Sequence, residues 1–291
     1  LEINVLKQRI ITALILAPLA LFAILFLPLN GFQILIALVV GLGAWEWSSM
    51  AGMTRWGSKF SYAAMMVAGC GALAWALPVN AIWYQGQLNA LYHYILSVAA
   101  LWWAISFVMI MLYPKFSSIW HTSKILRAFF GVYTLIPTWV AIVSLRTHIY
   151  DVNEFYGASL IFYVLGIVWA ADIGAFFVGV KFGKHKLRPN VSPGKTVEGL
   201  MGGILASTMI IAFAALHFSY EASRIWLHVV VGALTVGVSA LGDLNESMFK
   251  RCAGLKDSGT LLPGHGGIMD RIDSLTAAFP MFAFCYVTWM A

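Results

Sequence analysis

Residues 158–180 read ASLIFYVLGIVWAADIGAFFVGV, an apolar run whose one ionisable side chain is Asp172. About 20 apolar residues cross a bilayer core, and a lone segment there can satisfy its backbone hydrogen bonds only as a helix. The reading extends outward in both directions, because similar runs occupy residues 10–29, 31–50, 60–78, 89–113, 125–145, 197–218, 225–242 and 274–291. The chain of 291 residues is 61% hydrophobic and only 10% charged, with a mean hydropathy of +0.83. An ordinary soluble domain carries roughly 25% charged residues. The fold expected is therefore an all-α polytopic integral membrane protein of about nine transmembrane helices. It forms a single membrane domain over 1–291, with helices filling 1–150 and helices plus polar connections filling 158–291, and no room for a separate soluble domain.

The cations sort by side. Lys7 and Arg9, Arg55 and Lys59, Lys115, Lys124 and Arg127, the group from Lys181 to Lys195, and Lys250, Arg251, Lys256 and Arg271 fall on one face of a nine-span arrangement. Only Arg146 and Arg224 fall on the other. This is the positive-inside pattern, with the N-terminus cytosolic and the C-terminus outside. An eight-span alternative, with 125–145 re-entrant around Pro137, would spoil the alternation downstream. The stretch 10–29 is too long for a signal peptide and is followed at once by another apolar run, so it reads as the first span. The net charge of +6 is explained by topology and anionic headgroups, and no nucleic-acid partner is expected. Cys70, Cys252 and Cys285 are widely spaced and suggest neither disulfides nor a zinc site. Gly179 and Gly183 have a helix-packing spacing.

Five of the twelve acidic residues, Asp243, Glu246, Asp257, Asp270 and Asp273, lie in one cytosolic segment, GDLNESMFKRCAGLKDSGTLLPGHGGIMDRID. Asp243 and Glu246 are three residues apart, as are Asp270 and Asp273, so on helices each pair shares a face. Each pair abuts a span. A loop folding back would bring both pairs to the membrane surface as hard oxygen ligands for Mg²⁺. Asp172, inside the sixth span, is costly there and is expected to face protein, water or a cation. Glu46, between Trp45 and Trp47 near the end of its span, is expected to snorkel toward Arg55.

Ser192-Pro-Gly-Lys-Thr196 invites comparison with a P-loop but lacks its first glycine, Pro189 standing in that place, and is flanked by membrane helices. Ser192, Lys195 and Thr196 nevertheless suit phosphate ahead of a helix N-terminus; the alternative is a helix cap. His265, in the Pro-Gly-His-Gly-Gly turn, either contacts substrate or shapes the turn. The other histidines are scattered and read as packing or interfacial residues.

Ser247-x-x-Lys250-Arg251, Lys256-Asp257 and His265-Gly-Gly-x-x-Asp270-Arg271-x-Asp273 together closely resemble the signature of the phosphatidate cytidylyltransferase (CDP-diacylglycerol synthase) family. The Ser-Pro-Gly-Lys-Thr segment and Asp172 extend the resemblance over Asp172 to Asp273. It implies a bacterial-type inner-membrane enzyme, dimeric like its relatives, that converts CTP and phosphatidic acid to CDP-diacylglycerol and pyrophosphate with Mg²⁺, and accepts a second cation such as K⁺. It also implies that Asp243 and Asp270 bind metal, supported by Glu246, Asp172 and Asp273. Ser192, Thr196, Lys195, Lys250, Arg251, Lys256, His265 and Arg271 would hold substrate phosphates. Since CTP is cytosolic and phosphatidic acid stays in the leaflet, the site is expected at the cytosolic interface. A cation transporter would instead spread its acids near the midplane. A CTP-dependent lipid kinase would release CDP.

Overall fold

Long apolar runs with no water to serve their backbones close their hydrogen bonds internally, and the molecule is accordingly helical almost throughout. The computed structural model describes residues 2–218, 223–262, 264 and 266–291, with backbone alone for 2–11 and 13. Among the described residues nine helices have 21 residues or more: α1 (Glu2–Phe26), α2 (Leu29–Met50), α3 (Trp56–Ala76), α4 (Ala90–Leu112), α6 (Lys124–Thr147), α7 (Tyr156–Phe182), α8 (Val197–His217), α9 (Ile225–Cys252) and α10 (Met269–Trp289). A one-turn helix, α5 (Ser118–His121), precedes α6. Each apolar run read from the sequence is one of the nine. Six of them, α2, α4, α6, α7, α8 and α9, are long and apolar enough to cross a membrane by length and composition. Large side chains such as Phe177, Leu205, Met209 and Phe213 stand exposed on outward faces, as lipid-facing residues do. The chain is a polytopic membrane protein.

Helix α6 runs unbroken through Pro137 and packs against α2, α3, α4, α7 and α10, so it is a central helix rather than a re-entrant loop. Buried tryptophans need a partner for the indole N–H. Here Trp47 donates to the Arg127 carbonyl at 2.8 Å and Trp139 to the Gln33 carbonyl at 2.9 Å, each joining α2 to α6. Helices α7 and α8 pack closely, and a side chain on Gly202 would strike Val178 and the Gly174 carbonyl. The Gly179–Gly183 pair likewise lies against Thr196, so these glycines serve packing. Cys70, Cys252 and Cys285 are free and buried.

Four expectations need correction. The chain is not wholly α: two short antiparallel hairpins interrupt it, β1 (Trp83–Tyr84) with β2 (Gln87–Leu88), and β3 (Lys186–Arg188) with β4 (Ser192–Thr196). Arg188 and Ser192 each precede a proline, which disfavours helical backbone, and they are register partners in the second hairpin. Helix α9 runs ten residues beyond its apolar stretch, and α10 begins five residues before the expected 274. Polar residues extend both, since Lys250 and Arg251 in the last turn of α9 and Asp270 in the first turn of α10 suit the helix dipoles. Arg146, counted as an outer charge, is only 1% exposed. It donates to the carbonyls of Ile24 (2.8 Å), Leu25 (3.4 Å) and Glu154 (3.0 Å), so it satisfies the last turn of α1. Finally, Glu46 does not snorkel. It is 2% exposed and bonded to the loop before α10, because its carboxylate finds N–H and O–H donors inside the protein that the interface would not supply.

Candidate active site

The fold gathers most of the expected residues around the ends of α7, α8, α9 and α10. A cavity of about 530 Å³ lies between α7, α8 and α9, closed at one end by the β3–β4 hairpin. Phe176, Val180, Leu200 and Val236 contribute to its apolar wall, and its polar groups include Asp172, Lys195 and Asp243, with Lys186 and Ser239. Asp172 therefore faces this cavity. Lys195 Nζ pairs with Asp243 Oδ2, joining the hairpin to α9. Asp243 Oδ1 also accepts from Ser247 Oγ at 3.3 Å, one turn on.

The hairpin is held from α8. Glu198 in the first turn of that helix accepts the backbone N–H groups of Lys184 and His185, each at 3.1 Å, and meets His185 Nδ1. Thr196 N-caps α8, its hydroxyl accepting the Gly199 N–H at 3.1 Å, and the residue also lines the cavity. Ser192 is half-buried in β4 and does not line the cavity.

Behind the cavity the two carboxylate pairs meet, as a folded-back loop requires. Lys250, buried on α9, reaches Glu246 Oε2 at 3.3 Å and Asp270 Oδ1 at 2.7 Å. Asp273, one turn along α10, stands within electrostatic range of Asp243 and Glu246. Helices α9 and α10 can approach this closely because Gly242 has no side chain to strike the Asp273 carbonyl. Asp270 also gathers the loop: its Oδ2 accepts the amides of Ser258 (3.0 Å) and Gly267 (2.9 Å). Gly266, at φ +82°, makes the turn that presents the Gly267 amide.

Four of the expected phosphate-binding cations lie outside the cavity lining, Lys250 being the one held between Glu246 and Asp270. Arg251 donates to the carbonyls of Val191 (3.4 Å) and Leu255 (3.1 Å), tying the hairpin turn to the end of α9. Lys256 and Arg271 are exposed and outside the cavity lining. His265 lies outside the described residues. The sequence reading missed Ser258 and undervalued Glu46; the available signal was the cost of an acid within an apolar run.

The donor chemistry suits a hard divalent cation. Asp243, Glu246, Asp270 and Asp273 converge where the pairings involve two lysines, and such an excess of carboxylate oxygen is a hard-cation environment. No group of three or more His, Cys, Asp or Glu is already spaced around a metal position among the described residues. Mg²⁺ does not demand one, since it is commonly held by one or two carboxylates together with substrate phosphates.

Comparison with known proteins bears on the same chemistry. Residues 7–289 match the model of the cytidylyltransferase family. A phosphatidate cytidylyltransferase of Haemophilus influenzae is 38% identical over 287 residues, covering 97% of this chain and 98% of that protein. One of Pseudomonas aeruginosa is 42% identical over 278 residues, covering 96% of each. One of Staphylococcus aureus is 46% identical over 125 residues, 43% of this chain and 48% of its own length. With both motif segments inside a match that runs nearly end to end, the chain belongs to the cytidylyltransferase family.

Proposed function

We propose that this chain transfers the cytidylyl group of CTP to phosphatidic acid at the cavity between α7, α8 and α9, giving CDP-diacylglycerol and pyrophosphate. The observation that carries this assignment is the Lys195–Asp243 pair, which joins the two motif segments beside an apolar wall. A phosphorylated lipid needs both parts, a polar end for its phosphate and an apolar flank for its chains.

Lipid phosphate has a second pKa of about 6 and is already nucleophilic near neutral pH, so no strong general base is required. One of its oxygens attacks the α-phosphorus of CTP, and the bond to the bridging oxygen of the departing pyrophosphate breaks. Asp243 and Asp270, with Glu246, would hold Mg²⁺, which neutralises the triphosphate charge when bound. Lys195 stands at the cavity to take a phosphate oxygen, Lys250 orients Asp270, and Asp172 and Asp273 hold the surrounding cations. Alignment and charge neutralisation then supply the rate.

All nine long helices cross the membrane on this reading, α1, α3 and α10 being added to the six that are long and apolar enough by length and composition. The N-terminus and both motif segments face the cytosol, where CTP is found. The support is the charge sorting, to which Arg146 no longer contributes an exposed outer cation. The test uses purified protein, phosphatidic acid in mixed micelles, Mg²⁺ and CTP labelled at the α- or the γ-phosphate. Transfer of α-label to lipid, abolished in Asp243→Asn, is the expected result. With diacylglycerol added as an alcohol acceptor, transfer of γ-label to lipid would establish a kinase instead, and no lipid label from folded protein in either mixture would reject both.

A further inference from the structure

Glu46 sits on α2, far in sequence from every residue assigned above, yet its carboxylate touches the loop that carries the site. Its Oε2 accepts the Ser258 hydroxyl at 3.0 Å and the Met269 amide at 2.8 Å. Met269 is the first residue of α10, so its N–H is one that the helix cannot satisfy itself. Glu46 therefore caps α10 from a different helix, one residue before Asp270. The same Ser258 oxygen lies 2.9 Å from Asp270 Oδ2, and the Ser258 amide donates to that carboxylate at 3.0 Å. Lys250 holds the other Asp270 oxygen. The chain of contacts thus runs from Glu46 through Ser258 to Asp270 and on to Lys250 and Glu246.

The surrounding backbone is built around this contact. Side chains added at Gly259 or Gly267 would strike the Glu46 carboxylate, so the loop closes over Glu46 from both sides only because both positions are glycine. Ser258 is 4% exposed and Glu46 2%, which leaves little water to replace a lost bond. A buried carboxylate that only filled space would be expensive to keep, whereas one that orders a loop and a helix start has its cost offset.

We propose that Glu46 is a positioning residue for the cytidylyl transfer: through Ser258 and the Met269 amide it fixes the Ser258–Gly259 segment, the start of α10 and the orientation of Asp270. This rests on the reading that Asp270 belongs to the active site. The contact is made by one oxygen, Oε2, and it is the acceptor geometry rather than the negative charge that does the positioning. Glu46→Gln keeps an oxygen at that place with the amide nitrogen in the position of Oε1. Glu46→Leu fills the space and removes the acceptor.

Two measurements test it. Deuterium uptake across residues 253–262 is followed in purified protein without CTP or metal, and kcat and KM are measured for CTP and phosphatidic acid. Glu46→Gln is expected to match the native loop protection and to keep kcat within about threefold of native. Glu46→Leu is expected to raise loop uptake and lower kcat about a hundredfold, the scale of a misplaced reacting geometry, with KM for phosphatidic acid unchanged. Ser258→Ala alone is expected to lower kcat about tenfold, and in the Glu46→Leu background it should add less than about twofold, because both changes break one link. Should Glu46→Leu not fold, Ser258→Ala against Glu46→Gln carries the same comparison. The proposal is overturned if Glu46→Gln loses as much kcat as Glu46→Leu, which would make the charge the active feature. Native kcat in Glu46→Leu, or in Ser258→Ala where Glu46→Leu does not fold, would overturn it too. Full activity in Asp270→Asn would instead defeat the active-site reading, while loop uptake in Glu46→Leu would still report on the link itself.

Discussion

Lys195 and Asp243 come from motif segments 48 residues apart, and neither is anchored by its own segment alone. Lys195 is delivered by a hairpin that Glu198 pins to α8, and Asp243 by the polar extension of α9. Removing the ammonium in Lys195→Ala should lower kcat/KM for CTP about a hundredfold, the usual scale for losing one charge-stabilising donor, while Lys195→Arg should recover part of it. Steady-state kinetics with a thermal melt of each variant separates this from misfolding. At this scale the acids and lysines were legible in the sequence, because charged residues stand out in a chain with so few. Glu46 was misread, since neighbouring tryptophans and Arg55 suggest an interface whereas its partners, Ser258 and Met269, are more than 200 residues away.

Among the elements, α6 has a buried arginine near each end. Arg127 donates to the Met50 carbonyl at the end of α2, and Arg146 to the end of α1. Nineteen helical residues separate the two by about 28 Å, so they act at opposite ends of the bundle. Arg146→Ala would remove the donor from the carbonyls of Ile24 and Leu25 at the end of α1, at roughly 1–3 kcal/mol for a buried group left unpaired. Its thermal midpoint in detergent should fall markedly, while kcat of the folded fraction stays native because Arg127, not Arg146, lies near the end of α9 that carries the proposed site. Gly202→Val tests the α7–α8 contact in the same way. Forcing a branched side chain against Val178 and the Gly174 backbone should cost about 1–3 kcal/mol, read from the same melt. The sequence pattern located each helix but not the ends of α9 and α10, because hydropathy ends where the lipid ends and the hydrogen-bonded helix continues into polar surroundings. The hairpin of β3 and β4 was hidden for a related reason: its strands are short and polar, and prolines rather than periodicity shape them.

Across the whole molecule the end remote from the lysines is closed by an aromatic group around His148, just past α6. His148 is 7% exposed and meets the rings of Trp83, Tyr156 and Tyr286, whose two phenol oxygens lie 3.0 Å apart. Burial pushes its imidazole down to about 4 from an ordinary 6.5. The unfolded chain therefore takes up this proton first as pH falls, and stability should be complete above about 6.5 and decline toward pH 4. The decline amounts to about 3 kcal/mol for a shift of this size and should vanish in His148→Phe, as melts across that range would reveal. Composition, apolar run length and charge sorting determined that this chain lives in a membrane as a helical bundle, because hydrocarbon leaves the backbone few alternatives. The clustered acids pointed to a metal–phosphate site, and the resemblance of the polar motifs to a family signature pointed to the reaction. Only the tertiary structure decided that Asp172, Lys195 and Asp243 share a cavity, that Arg146 is a buried clamp, and that Glu46 reaches Asp270 through Ser258. Those contacts join distant segments by shape and hydrogen-bond geometry, which residue order along one chain does not encode locally.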